Sequence, residues 1–133
     1  MWAEDGECPS APASLEWSRV RSMVVSEVTS PVREALEEMK LLLVRIYGER
    51  LRGVYLYGSY ARGEATEDSD VDVLIVLDGP VSFGLEVRRY NSAVSDICLR
   101  QNLLISTHPI SFDEYEKPQS PFLMNVHKEA LAI

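Results

Sequence analysis

The order of hydrophobic patterns predicts an α/β fold of the α+β kind, a small mixed β-sheet packed with helices. Two short segments, "RGVYLYG" (52–58) and "VDVLIVL" (71–77), have the β-branched and aromatic content and the glycine or Asp-Gly-Pro borders of strands. A long amphipathic segment precedes this pair and another follows it. A third extended segment then gives the order helix, strand, strand, helix, strand, helix.

In the first helix Ser30 and Pro31 read as N-cap and first helical residue. Val32, Leu36, Met39, Leu43 and Ile46 then fall on one stripe, and Gly48 is placed to end it. The first strand breaks at Gly58. The second is a near-continuous apolar run, the pattern of an interior strand covered on both faces, and should lie beside the first. From Val81 to Asn102, positions Val87, Tyr90, Val94, Ile97, Cys98 and Gln101 repeat at helical spacing. "LLISTHPIS" (103–111) reads as the third strand, with Pro109 marking an edge position or the strand's end. "FDEYE" (112–116) reads as a solvated acidic turn, with the charge to dock a basic partner. After Pro121 a short helix presents Phe122, Leu123 and Val126 to the core. Residues 1–14 are expected to be a flexible tail and 15–133 a single domain, in which Leu15 to Val28 favours helix by a small margin.

The chain has 133 residues, with 21 acids against 13 lysines and arginines and a net charge of -8. Such a field repels a phosphate-covered polymer, so no direct contact with nucleic acid is expected. A mononucleotide is compatible, because a divalent cation between clustered carboxylates and phosphates reverses the local sign of charge. Cys8 and Cys98 have no metal-ligand spacing and suggest no disulfide framework, which fits a reducing cytoplasm. The N-terminus lacks the pattern of a secretory signal, and "MKLLLVRIY" is too short to span a bilayer, so no membrane association is expected. Oligomeric state is left open, a homo-oligomer included.

The chemistry concentrates in "GSYARGEATEDSDVDVLIVL" (58–77). Side chains alternate along a strand, so Asp70 and Asp72 project to one side, roughly 7 Å apart, while Val71 enters the core. Carboxylates brought together repel, and a bound cation relieves them; magnesium takes oxygen ligands and bridges carboxylates to phosphates. Gly58 and Ser59 follow directly on the first strand, where a glycine lets backbone amides approach an anion and the serine hydroxyl can bind phosphate oxygens. Ala61-Arg62-Gly63 would open the next helical turn. Taken alone, "SDVD" is more often a turn ahead of a strand than a site. The joint arrangement sets an anion cradle beside a metal-binding pair, the geometry that nucleotidyl transfer needs.

"GSYARG", the spacer "EATEDS" and then "DVDVLIV" resemble the signature of the nucleotidyltransferase superfamily, closely so from Leu56 to Leu77. The preceding helix is similar to the usual lead-in. The short chain and the segment "PFLMNVHKEALAI" resemble the minimal nucleotidyltransferases, the MNT type, encoded beside HEPN-domain partners. The resemblance implies a nucleotidyltransferase-like fold. It implies that Gly58 and Ser59 hold the β- and γ-phosphates of a nucleoside triphosphate and that Asp70 and Asp72 bind Mg2+. Arg62 would either offset phosphate charge or brace the loop, and Ser69 would either orient the aspartate loop or simply make its turn.

Active members of the superfamily add a third carboxylate from a neighbouring strand. The matching strand here, "LLISTHPIS", holds no acid. Ser106 or His108 stands in that place, with Asp96, Asp113 and Glu114 as more distant substitutes. His108, before a proline, and His127, among Asn125, Lys128 and Glu129 on an exposed helical face, read as surface residues. Tyr55 and Tyr57 read as sheet packing, which leaves Tyr60 to stack on a nucleobase.

The leading expectation is an enzyme that uses Mg2+ and ATP to transfer AMP to a protein hydroxyl, as the antitoxin of a HEPN ribonuclease toxin. A nucleotide-binding or partner-neutralising module without turnover is the first alternative. Transfer to a small molecule, as in aminoglycoside-modifying relatives, comes last, because those enzymes carry a further substrate-binding domain.

Overall fold

A computed structural model describes residues 30–66 and 68–133. The expected tail (1–14) and the helix-leaning stretch (15–28) lie outside the described residues.

Helix α1 (Ser30–Tyr47) buries Val32, Ala35, Leu36, Met39 and Leu43 along one stripe. Ile46, expected on that stripe, is half-buried, and Tyr47 completes the buried face. Gly48 ends the helix with φ +57°, and a 3-10 turn (Gly48–Arg50) leads into β1 (Leu51–Tyr57). A single helical turn, α2 (Ser59–Arg62), and a loop connect β1 to β2 (Val71–Leu77). Helix α3 (Phe83–Gln101) crosses back to β3 (Ile105–Ser111). Two short helices, α4 (Phe112–Glu116) and α5 (Pro121–Glu129), precede β4 (Leu131–Ala132).

The strands lie in the order β3-β2-β1-β4. β1 pairs antiparallel with β2 and β4, whereas β3 pairs parallel with β2, as the helical crossover requires. The sheet is therefore mixed, β2 is interior, and β3, the strand with Pro109, is an edge.

The faces of β2 carry two different layers. Val71, Val73, Ile75 and Leu77 pack beneath α1 and α3 in the larger core. Leu74 and Val76 face the other way, into a smaller cluster with Tyr55, Ile110, Tyr115, Val126 and Ala130, built by α4 and α5. Side-chain alternation puts Asp72 on this second side, at the end of the sheet where α5 passes.

Two elements differ from the sequence expectation. "FDEYE" is a helix rather than a solvated turn, because Ser111 and Glu114 form a capping box: the Ser111 hydroxyl accepts from the Glu114 amide, and the Glu114 carboxylate accepts from the Ser111 amide. Its Tyr115 is buried and stacks on Tyr55 with centroids 4.9 Å apart. The C-terminal residues form β4 on the open edge of β1, where the Ile133 amide donates to the Val54 carbonyl at 3.0 Å. Among the described residues no helix is long and apolar enough to cross a membrane.

Glu86 in α3 is only 2% exposed, on a face where the helical spacing showed only its apolar neighbours. Its carboxylate accepts from Tyr47 Oη at 2.9 Å and from Arg50 Nη2 at 3.1 Å, and Arg89 lies 3.3 Å away. The network ties the end of α1 and the 3-10 turn to α3. Glu86→Ala is expected to lower the unfolding free energy by about 2–5 kcal/mol in denaturant titrations, because the Arg50 charge and the Tyr47 hydroxyl lose their shared acceptor.

Candidate active site

β1 delivers the chain to Gly58, whose φ of +77° and ψ of -153° are open to glycine and strained for any other residue. This turn starts α2, where the Arg62 amide donates to the Gly58 carbonyl at 3.1 Å. Gly63, at φ +73°, closes it. α2 is too short to act through a helix dipole, which leaves individual N–H and O–H donors at this turn.

Asp72 lies opposite Tyr57 in the β1–β2 register and is half-buried. A Cβ on Gly58 would stand 2.2 Å from Asp72 Oδ2, so the glycine turn and the carboxylate are in direct contact. Asp70 stands exposed, one residue ahead of β2. Asp72 is held above the usual carboxylate range, first by burial and then by the charge of Asp70; Arg62 opposes the shift and Glu129 adds to it. Ser69 takes the role of a turn residue: its hydroxyl accepts from the Thr66 amide at 2.8 Å, and its own amide donates to the Thr66 carbonyl at 3.1 Å. That turn aims the chain into β2 and places Asp70.

These residues border an open cavity of about 600 Å³, a size that suits a nucleotide. Tyr57, Gly58, Ser59, Arg62 and Asp72 form one wall; Phe122, Asn125, Val126, Lys128 and Glu129 of α5 form the other. The structure thus brings together four of the expected residues, Gly58, Ser59, Arg62 and Asp72, and sets Asp70 at the margin. Ser69 lies in the turn ahead of β2, outside that cavity's lining.

The α5 wall corrects the reading of Glu129 as part of an exposed face. One Glu129 oxygen accepts from the Gly58 amide at 2.7 Å, and both accept from Arg62 Nη1 at 3.2 Å. Leu123, Val126 and Ala130 dock α5 on the smaller core, and Glu129, next to Ala130, is half-buried on the cavity side.

The aromatic expectations also change. Tyr57, not Tyr60, lines the cavity, because Tyr60 packs against the larger core. The Tyr57 hydroxyl is pushed up to about 12 by burial and the charges of Asp72 and Glu129, so it stays protonated and can donate. Its ring meets Phe122 edge-on at 5.8 Å. His108 is a packing residue rather than a surface one: it sits between Phe83 and Phe122, at 5.7 and 5.4 Å, and burial lowers its pKa. Tyr55 packs within the sheet as expected, and His127 is exposed with its ring against Tyr115.

Ser106 is the β3 residue in register with Asp72, so a serine holds the position beside the strand-borne acid. Asp96 borders a separate cleft between α1 and α3, and Asp113 and Glu114 border another beside α5. None of the three lines the cavity at Asp72. Among the described residues no three histidines, cysteines or acids are grouped closely enough to hold a metal ion.

A glycine-serine turn pressed against a strand-borne carboxylate marks this end of the sheet of an α/β domain. Residues 30–119 match the family described as "Nucleotidyltransferase domain", and the chain belongs to that family. Two proteins of Methanocaldococcus jannaschii, both named "Putative protein adenylyltransferase", are similar to it. One is 47% identical over 45 residues, 34% of this chain and 45% of the relative; the other is 37% identical over 73 residues, 55% of this chain and 73% of the relative. The chain spans about half the length of the first curated relatives it matches. A solved structure described as "Crystal structure of the toxin-antitoxin with AMP-PNP" aligns with a TM-score of 0.51 over 72% of this chain and 70% of the other, at 16% identity, and shares the fold.

Gly58→Ala combines a positive φ with a clash on Asp72. It is expected to cost about 1–3 kcal/mol of stability, read by denaturant titration, and to displace the loop from Asp72. Asp72→Asn is expected to raise the melting temperature at neutral pH in metal-free buffer. A carboxyl with a raised folded pKa binds its proton more readily when folded, so stability falls as pH rises from the ordinary carboxylate value through the raised one. Scanning calorimetry of wild type and variant from pH 4 to pH 8 should show two curves that converge in acid.

Proposed function

We propose that this domain transfers a nucleotidyl group, AMP from ATP, to a protein hydroxyl, and that it serves as the antitoxin of a HEPN-domain ribonuclease toxin in the cytoplasm. The observation that carries the reading is the contact between Gly58 and Asp72, which supports a phosphate cradle set directly beside a carboxylate. The names of the curated relatives support AMP as the group transferred and a protein as the acceptor. The description of the structural neighbour supports a nucleotide ligand and a toxin partner.

Asp70 and Asp72 suit Mg2+: both are hard oxygen donors, and the burial and Asp70 charge that lift Asp72 are what a cation would offset. Bound there, magnesium would neutralise phosphate charge and orient the triphosphate for in-line displacement. Gly58 and Ser59 provide the amide and hydroxyl donors for terminal phosphate oxygens. Arg62 offsets their charge, and Tyr57 and Phe122 offer ring surface beside them. In the transfer an acceptor oxygen forms a bond to the α-phosphorus, the bond to the bridging oxygen breaks, pyrophosphate leaves and the acceptor loses its proton.

Ser106 at the register position of Asp72 favours a second reading, a module that holds a nucleotide and neutralises its partner without turnover.

Incubation with ATP labelled at the α-phosphate, Mg2+ and the protein encoded by the adjacent gene tests the first reading. Label should pass to the partner and fall at least about 100-fold with Asp72→Ala or on chelation of the metal, since charge stabilisation at phosphorus is the dominant catalytic term. Label that is absent with wild type while calorimetry detects bound nucleotide selects the second reading.

A further inference from the structure

The donors suited to a phosphate oxygen already hold an internal anion. The Gly58 amide and Arg62 Nη1 both donate to the Glu129 carboxylate, at 2.7 and 3.2 Å, inside the cavity that Ser59 and Asp72 border. Glu129 retains 24% of its side-chain exposure, so the carboxylate has an open path to solvent. Its backbone is fixed on either side: the Ala130 amide closes α5 on Val126, and Leu131 pairs with Leu56 in β4. Exchange at the cradle therefore needs a side-chain rotation, not a movement of the helix. Arg62 is meanwhile held through its Nε by Glu64 at 3.0 Å, which keeps the guanidinium in place when Nη1 changes partner. A triphosphate entering beside Glu129 would bring more negative charge against Asp72, which already feels Glu129.

We propose that Glu129 is the internal occupant of the phosphate cradle and sets its affinity, a triphosphate binding by taking the Gly58 amide and Arg62 Nη1 from the Glu129 carboxylate. The inference rests on the nucleotide reading above and adds a residue that tunes how readily that site fills.

The test is calorimetric titration of a non-hydrolysable ATP analogue with Mg2+, and separately of tripolyphosphate with Mg2+, into wild type, Glu129→Gln and Glu129→Ala. Glutamine keeps an acceptor and the side-chain volume but removes the charge. Both variants are expected to bind up to about fivefold more tightly than wild type, the range of a partly exposed ion pair. Binding by the variants alone also supports the proposal. Equal or weaker binding by the variants overturns it and makes Glu129 a brace for the loop. Tighter binding of tripolyphosphate with none of the ATP analogue keeps the inference and sinks the nucleotide function; no binding of either ligand to any protein sinks both. Should the variants fail to fold, carbon-detected NMR of labelled wild type decides. The Glu129 carboxylate and Gly58 amide signals should move together as tripolyphosphate saturates, and a stationary Glu129 signal in the bound state refutes the exchange.

Discussion

The closeness of Gly58 to Asp72 constrains everything around it. A Cβ at Gly58 would press on the Asp72 carboxylate as it stands, and the φ of +77° with ψ of -153° there strains any residue but glycine. The antiparallel register of β1 on β2 sets Tyr57 opposite Asp72, so the turn that follows Tyr57 has to pass over that carboxylate. Once it does, the Gly58 amide, the Ser59 hydroxyl and Asp72 share one cavity. The helical layer of α1 and α3 fixes β2 from beneath, while α5 closes the cavity from the other face.

Two acids of this chain meet burial in opposite ways. Glu86 is deeply buried and surrounded by donors, from Tyr47, Arg50 and Arg89, so its charge is matched within the fold. Asp72 is less buried, yet desolvation and the charges of Asp70 and Glu129 outweigh the relief from Arg62. A buried ion network of the first kind organises the junction of α1 and α3. An acid of the second kind costs stability that the fold could recover by losing the charge, and such groups collect at sites where a ligand supplies the missing compensation. The structure thus separates a framework acid from a site acid by their partners, although both look alike as letters in a helix or strand.

Patterns local to one element were the most legible in the sequence. The stripe from Val32 to Leu43, the run from Val71 to Leu77 and the edge position of Pro109 all follow from periodicity and from proline's missing donor. The glycine-serine turn and the aspartates were legible for the same reason, since strand parity alone aims Asp72 away from Val71 and Val73. What stayed hidden depends on contacts between distant segments. The α4 helix exists because Ser111 and Glu114 cap each other and Tyr115 finds Tyr55, sixty residues earlier. The β4 strand is only Leu131–Ala132, and it forms because β1 has an open edge to receive it. Glu129 was hidden because its partners, Gly58 and Arg62, lie across the sheet, and a charged residue near a chain end ordinarily faces water.

The charge balance of the cavity follows from that last contact and bears on what can enter. Arg62 and Lys128 face Asp72 and Glu129, with Asp70 adding a further negative charge at the margin. Arg62 is also engaged by Glu64, so little positive potential is left over for a free polyanion. An anion accompanied by a divalent cation would meet a different field, because the cation would offset the charges of Asp70 and Asp72 and leave phosphate oxygens to compete for the donors on Glu129. An acidic chain of net charge -8 repels bare phosphate polymers, and Asp70, Asp72 and Glu129 add to that field at the cavity.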